Sequence, residues 1–152
     1  MKLILVAVGQ LKSGPERDLI QIYNKRLRWS LDVHEVVVKR KISGPALKEL
    51  EGDLILSHIP SSSLVIGLDE KGKSLNSQEF ATLLKDHQTH GQGPITFIIG
   101  GADGLANKVR DKTHHLISFG HLTWPHMLVR VLLLEQLYRA QQILAGHPYH
   151  RE

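Results

Sequence analysis

The 152-residue sequence contains no cysteine, which removes disulfides, thiolate catalysis and cysteine-ligated zinc together. It has no long unbroken apolar run: the most apolar stretch, residues 127–138, is short and is interrupted by Arg130 and Glu135, so no membrane span is expected. No charged-then-apolar leader opens the sequence, because Met1-Lys2 passes straight into a strand-like run. These absences fit a reducing, cytoplasmic setting. Repeats, low-complexity tracts and linkers are also missing, so residues 1–152 read as one domain large enough for a core.

Several ligand motifs fail on inspection. Residues 9–14 have the glycine spacing of a phosphate loop, but Pro15-Glu16 follows where lysine and a hydroxyl residue are required. Gly100-Gly101-Ala102-Asp103-Gly104 is not the dinucleotide Gly-x-Gly-x-x-Gly pattern. Ten histidines are present, yet the close pairs, His114-His115 and His147 with His150, have no carboxylate at helical ligand spacing. No metal site is expected.

What remains is an α/β pattern. Apolar runs at residues 3–8, 33–38, 64–69, 94–99 and 115–119 read as strands, the first closed by Gly9 and buried on both faces. Helical spacing marks residues 16–29, 45–58, 78–87 and 125–145, with a short helix ending near Lys112. Gly52 is a weak point in the second helix, residues 70–73 look like a turn, and Asn76 or Ser77 caps the third helix. Alternation of this kind predicts a mostly parallel sheet of five or six strands with helices on both faces.

The last forty residues carry the most information. A strand-like run ends at Leu122-Thr123-Trp124, and Pro125 suits the first turn of the helix that follows. Met127, Leu128, Val129, Val131, Leu132, Leu133, Leu134, Leu137 and Tyr138 do not fit one stripe, so a second subunit is expected to cover part of this helix. The tail His147-Pro148-Tyr149-His150-Arg151-Glu152 combines rings that stack with donors that hold phosphate. Glu135 and Arg139 stand at i and i+4 and read as a helical ion pair. A formal charge of +4 and a pI near 9.4 suit an anionic partner without specifying one. Lys39-Arg40-Lys41 reads as a solvated loop or a phosphate contact. Glycines after a buried strand allow close approach of a ligand, and in an open α/β sheet that approach is at the carboxyl strand ends.

At these residues the chain resembles a known family. The opening Met-Lys-Leu-x-Leu-Val-Ala-Val-Gly, Leu68-Asp69-x-x-Gly72-Lys73, Ile98 to Leu105, Leu122-Thr123-Trp124-Pro125-His126-x-Leu128-x-Arg130, residues 135–140 and the terminal hexapeptide are similar to the RlmH family. Its members are SPOUT-class pseudouridine N3-methyltransferases of large-subunit ribosomal RNA. Trp124 stands where leucine is common there, and Ala102-Asp103 where Pro-Glu is common. The resemblance implies a C-terminal trefoil knot, a homodimer and S-adenosylmethionine as methyl donor. It implies a donor pocket made of Leu68, Gly100, Phe119, Gly120, His121, Leu122, Thr123 and Trp124. It points to a 23S ribosomal RNA pseudouridine, on the assembled subunit or ribosome, as substrate. His150 for proton handling, Arg151 for charge or phosphate, Tyr149 for stacking or hydrogen bonding, and Glu135 as an orienting group are the expected catalytic set. A non-catalytic ribosome-binding factor with the same fold, or a SPOUT enzyme acting on transfer RNA, are the alternative readings.

Overall fold

Strand β1 (Lys2–Val8) is an interior strand of the sheet, with every residue after Lys2 buried. A strand covered on both faces needs no polar alternation, which is why the sequence there is continuously apolar. The computed structural model describes residues 1–151, so Glu152, the closing carboxylate of the tail, lies outside the described residues. β1 pairs in parallel with β2 (Ser30–Val36) on one side and β4 (Ile95–Ile99) on the other. β3 (Leu64–Ser74) pairs with β4 and with β5 (His115–Ser118), again in parallel. The order is β2-β1-β4-β3-β5, a five-stranded sheet.

Both faces are covered. Helices α1 (Pro15–Arg26), α3 (Ser77–His90) and α5 (His126–Leu144) lie on one face, where Leu3, Leu5, Phe80, Phe97, Leu133 and Leu137 belong to one core. The second core joins Ile4, Val6, Val8 and Ile98 to Ile55 of α2 (Gly44–Ser57) and Val109 of the short α4 (Asn107–Arg110). Asn76 is the cap of α3: its side chain accepts from the Glu79 amide at 2.8 Å, and Glu79 returns the bond to the Asn76 amide at 2.8 Å.

Three local expectations change. The second helix is continuous through Gly52, because a Cβ there would meet Lys108 Cε at 2.9 Å and Ala106 Cβ at 3.1 Å; the glycine admits α4 instead of breaking α2. Residues 70–73 belong to β3. Leu68 and Lys73 both pair with Ile117, so the residues between them loop out and the strand then resumes. Gly72 lies against the β5 backbone, since a Cβ on it would come within 2.5 Å of the Ile117 carbonyl carbon. Leu122-Thr123-Trp124 is exposed loop and not a strand.

The apolar circumference of α5 is partly covered within the chain, because α1 and α3 pack along its flanks while the sheet lies beneath it. Leu133 and Leu134 are 0% and 1% exposed. Met127, Leu128, Val129, Leu132 and Tyr138 stay half-buried, so the three-helix layer leaves part of the apolar surface within reach of a partner.

Candidate active site

The carboxyl ends of β3, β4 and β5 open into a cleft of about 760 Å³. Leu68 and the β3 excursion form one wall, Ile99 through Leu105 the second, and Phe119, Gly120 and Leu122 through His126 the third. Seven of the eight expected pocket residues line it: Leu68, Gly100, Phe119, Gly120, Leu122, Thr123 and Trp124. His121 does not; it is exposed in the loop.

The walls are fixed by short polar contacts. Thr123 donates to Glu70 Oε2 at 2.8 Å, fastening the third wall to the first. Asp69, with a side chain only 6% exposed, receives Arg110 Nη2 at 2.6 Å. Ser118 Oγ donates to the Gly120 carbonyl at 2.6 Å and accepts from the Gly120 amide at 3.2 Å, closing the turn that leaves β5. Gly100 serves the loop itself: a Cβ there would strike the Gly104 carbonyl carbon at 2.9 Å. Gly120 differs, with φ +114° and open space where a Cβ would project. A side chain at Gly120 would both strain the backbone and enter the cleft.

Across the segment 117–120 lies a second cleft of about 780 Å³, lined by Leu75, Phe80, Leu132, Ser77, Gln136 and His150 among others. Ile117, Ser118, Phe119, Gly120 and Trp124 line both clefts. Tail and donor loop thus meet on opposite sides of one thin partition.

The tail is docked on α5. Glu135 Oε1 accepts from Arg139 Nη2 at 2.5 Å and from the Tyr149 hydroxyl at 3.1 Å, while Glu135 Oε2 accepts from Gln136 at 2.8 Å. The Tyr149 ring meets Tyr138 edge-on at 4.8 Å, and the Arg139 guanidinium lies 4.8 Å from its centroid. Burial, and then the Glu135 charge, push the Tyr149 phenol up to about 12. Arg139 Nη1 lies 3.3 Å from His150 Nδ1. A guanidinium only donates, so this imidazole nitrogen accepts and the ring proton sits on Nε2. Glu135 is both the ion-pair partner of Arg139 and the anchor of the tail. Arg151 is exposed.

The expected set omitted Arg130. It is 1% exposed, donates to the Val8 and Gly9 carbonyls at 2.8 and 2.6 Å, and pairs with Glu35 at 2.9 Å. It ties the ends of β1 and β2 to the start of α5, and so to the loop that walls the cleft. The signal in the sequence was a lone cation inside the most apolar stretch. Glu51 was missed too: 8% exposed, it lies under Gly101, and burial, then Asp103, raise its pKa. Among the described residues no group of three metal-ligating side chains comes together, and no helix is long and apolar enough to cross a membrane.

The family described as "Predicted SPOUT methyltransferase" matches residues 1–150. The chain belongs to it. Relatives named Ribosomal RNA large subunit methyltransferase H include one from Rhodospirillum centenum, 50% identical over 151 residues and covering 99% of each chain. Another, from Paramagnetospirillum magneticum, is 49% identical over 151 residues with the same coverage. A solved structure of a probable methylase family protein from Haemophilus influenzae matches with a TM-score of 0.56 at 14% identity, covering 99% of this chain and 70% of that one, and speaks for the fold alone. Membership of a SPOUT methyltransferase family implies a methyl donor, and the three-walled cleft fits one. Leu68, Leu122, Trp124 and Val129 give apolar surface beside main-chain polar groups, and the space at Gly120 is open.

Proposed function

We propose that the chain is a ribosomal RNA methyltransferase that places a methyl group from S-adenosylmethionine on N3 of a pseudouridine in 23S ribosomal RNA. It acts on the assembled subunit or ribosome, in the cytoplasm, as one domain that pairs into a homodimer. The observation that carries this reading is near-50% identity over 99% of the chain to proteins named for large-subunit ribosomal RNA methylation. The close crossing of Gly72 over the Ile117 backbone supports a knotted C-terminal third. Leu122, 71% exposed, beside the first cleft, and Trp124, 40% exposed, beside both, stand apolar and support a partner subunit there.

When bound, S-adenosylmethionine supplies an electrophilic methyl group on a sulfonium sulfur. Leu68, Leu122 and Trp124 hold its apolar parts, and the turns at 100–104 and 118–120 offer main-chain groups to its polar ones. The tail, whose His150 lines the second cleft, would handle the acceptor where the two clefts adjoin at Phe119, Gly120 and Trp124. Nucleophilic N3 must shed a proton as the new bond to carbon forms and the bond to sulfur breaks. Arg139 donates to His150 Nδ1, and an imidazole nitrogen released from that contact can take up a proton. Substrate displaces that 3.3 Å contact, and His150 receives the N3 proton. Arg151, exposed at the surface, holds phosphate or the developing oxyanion. Tyr149 and Glu135 are positioning residues, since both are engaged in docking the tail.

The test removes residues 149–152. Donor affinity by calorimetry should stay within about twofold, because none of Tyr149, His150 and Arg151 lines the donor cleft, while methylation of ribosomes lacking the modification should fall below detection. Methylation at the wild-type rate would refute the assignment of the tail.

A further inference from the structure

The carboxyl edge of the sheet carries a run of cations that reaches from outside the donor cleft to its wall. Residues 36–48, from the end of β2 into the first turns of α2, contain Lys39, Arg40, Lys41 and Lys48 and no carboxylate. Lys39, Arg40 and Lys41 are exposed, and none of the four forms an ion pair among the described residues. Lys12, in the loop after β1, is likewise exposed and unpaired. Lys48 and Lys71 line the donor cleft itself.

The carboxylates on the same edge are largely answered. Glu35 is held by Arg130 and by the Leu11 amide, Asp69 by Arg110, and Glu70 by the Thr123 hydroxyl. Asp103, together with Glu16 and Asp18 in the first turn of α1, is left over against Lys12, Lys39, Arg40, Lys41, Lys48 and Lys71, so the balance along this edge is positive.

Strand order then sets the geometry. β2 ends two strands away from β4, so its loop stands about 10 Å from the cleft wall at 4.8 Å per strand. Lys12 comes from the strand between them, and Lys48 completes the row at the cleft.

We propose that Lys39, Arg40 and Lys41, continued by Lys12 and Lys48, form a track for the phosphate backbone of the RNA that flanks the methylated nucleotide. The track rests on the reading of ribosomal RNA as substrate and adds where the strand leaves the active site. Flexible cations facing water suit phosphate contacts, which position RNA without reading its sequence. The donor cleft keeps its shape when these side chains are removed, because none of Lys39, Arg40 and Lys41 lines it.

The experiment measures binding of large ribosomal subunits to wild type, to Lys39→Ala/Arg40→Ala/Lys41→Ala, and to a control with Arg17→Ala/Lys25→Ala/Lys85→Ala on α1 and α3. Salt is varied from 0.05 to 0.5 M (chosen range, about one decade). The loop variant should lose about 2 to 3 from the slope of log K against log salt and bind about a hundredfold more weakly near 0.1 M. Its S-adenosylmethionine affinity should be unchanged, and the control should behave as wild type. An unchanged slope in the loop variant, or an equal loss in the control, overturns the track. Methyl transfer by wild type is scored separately. Tight binding without methylation would sink the proposed reaction and leave the track standing, whereas methylation with an unaltered loop variant would do the reverse.

Discussion

Arg130 and Glu35 form a pair whose two members should differ sharply in what their removal costs. The arginine side chain is 1% exposed and the glutamate side chain 31%. Burial lowers the pKa of Arg130, opposed by the hydrogen bond and charge of Glu35, but a guanidinium remains charged at any working pH. Glu35→Leu therefore strands a cation in the interior, with only the Val8 and Gly9 carbonyls to hold it, at a cost of about 3–5 kcal/mol. Arg130→Met strands much less. The glutamate can turn to water and keeps the Leu11 amide, while two carbonyls lose a donor, together about 1–3 kcal/mol. At about 2–4 °C per kcal/mol for a chain of this size, Glu35→Leu should lower Tm by about 6–20 °C and Arg130→Met by about 2–12 °C. The double variant should be more stable than Glu35→Leu alone, because it removes the unpaired charge. Calorimetry and urea unfolding of the three proteins give the cycle. If Arg130→Met proves the more damaging single change, or if the two effects simply add, the argument from the stranded charge is wrong.

Two further outcomes follow from the shifted groups. The Tyr149 proton is held by burial and by Glu135, so the docking it supports is full below the ordinary value of 10.0 and is lost as pH rises to about 12. Absorbance titration should show a late tyrosinate step that disappears in Tyr149→Phe, and a wild type without that step would remove the docked phenol. Glu51 has its pKa raised by burial first and Asp103 second, so its contribution is full below 4.5 and is lost as pH rises through the folded value. Glu51→Gln should be more stable than wild type at pH 7 and converge with it in acid; a less stable variant at pH 7 would mean the carboxylate has a partner that matters.

Much of this protein was determined by local sequence. Apolar runs of strand length bounded by turn residues read as strands, those of β1 and β4 covered on both faces, and their alternation with helical patterns pointed to a parallel, two-faced sheet. The capping pair Asn76 and Glu79 and the Pro125 boundary are short-range chemistry, readable where they stand. The motifs around Leu68, Gly100 and residues 119–124 pointed to one cleft, although His121 faces away from it. Tertiary structure decided what depends on contacts between distant residues. That Gly52 admits a helix, that β3 loops out and returns to Ile117, and that Gly100 guards its own turn all depend on what packs opposite. The apolar girth of α5 asked for cover, and pattern alone could not say that α1 and α3 supply part of it. Arg130 was visible as an interruption, but its meaning lay in carbonyls more than 120 positions away. A residue's type limits the partners it can have, and only the folded chain selects which of them arrives.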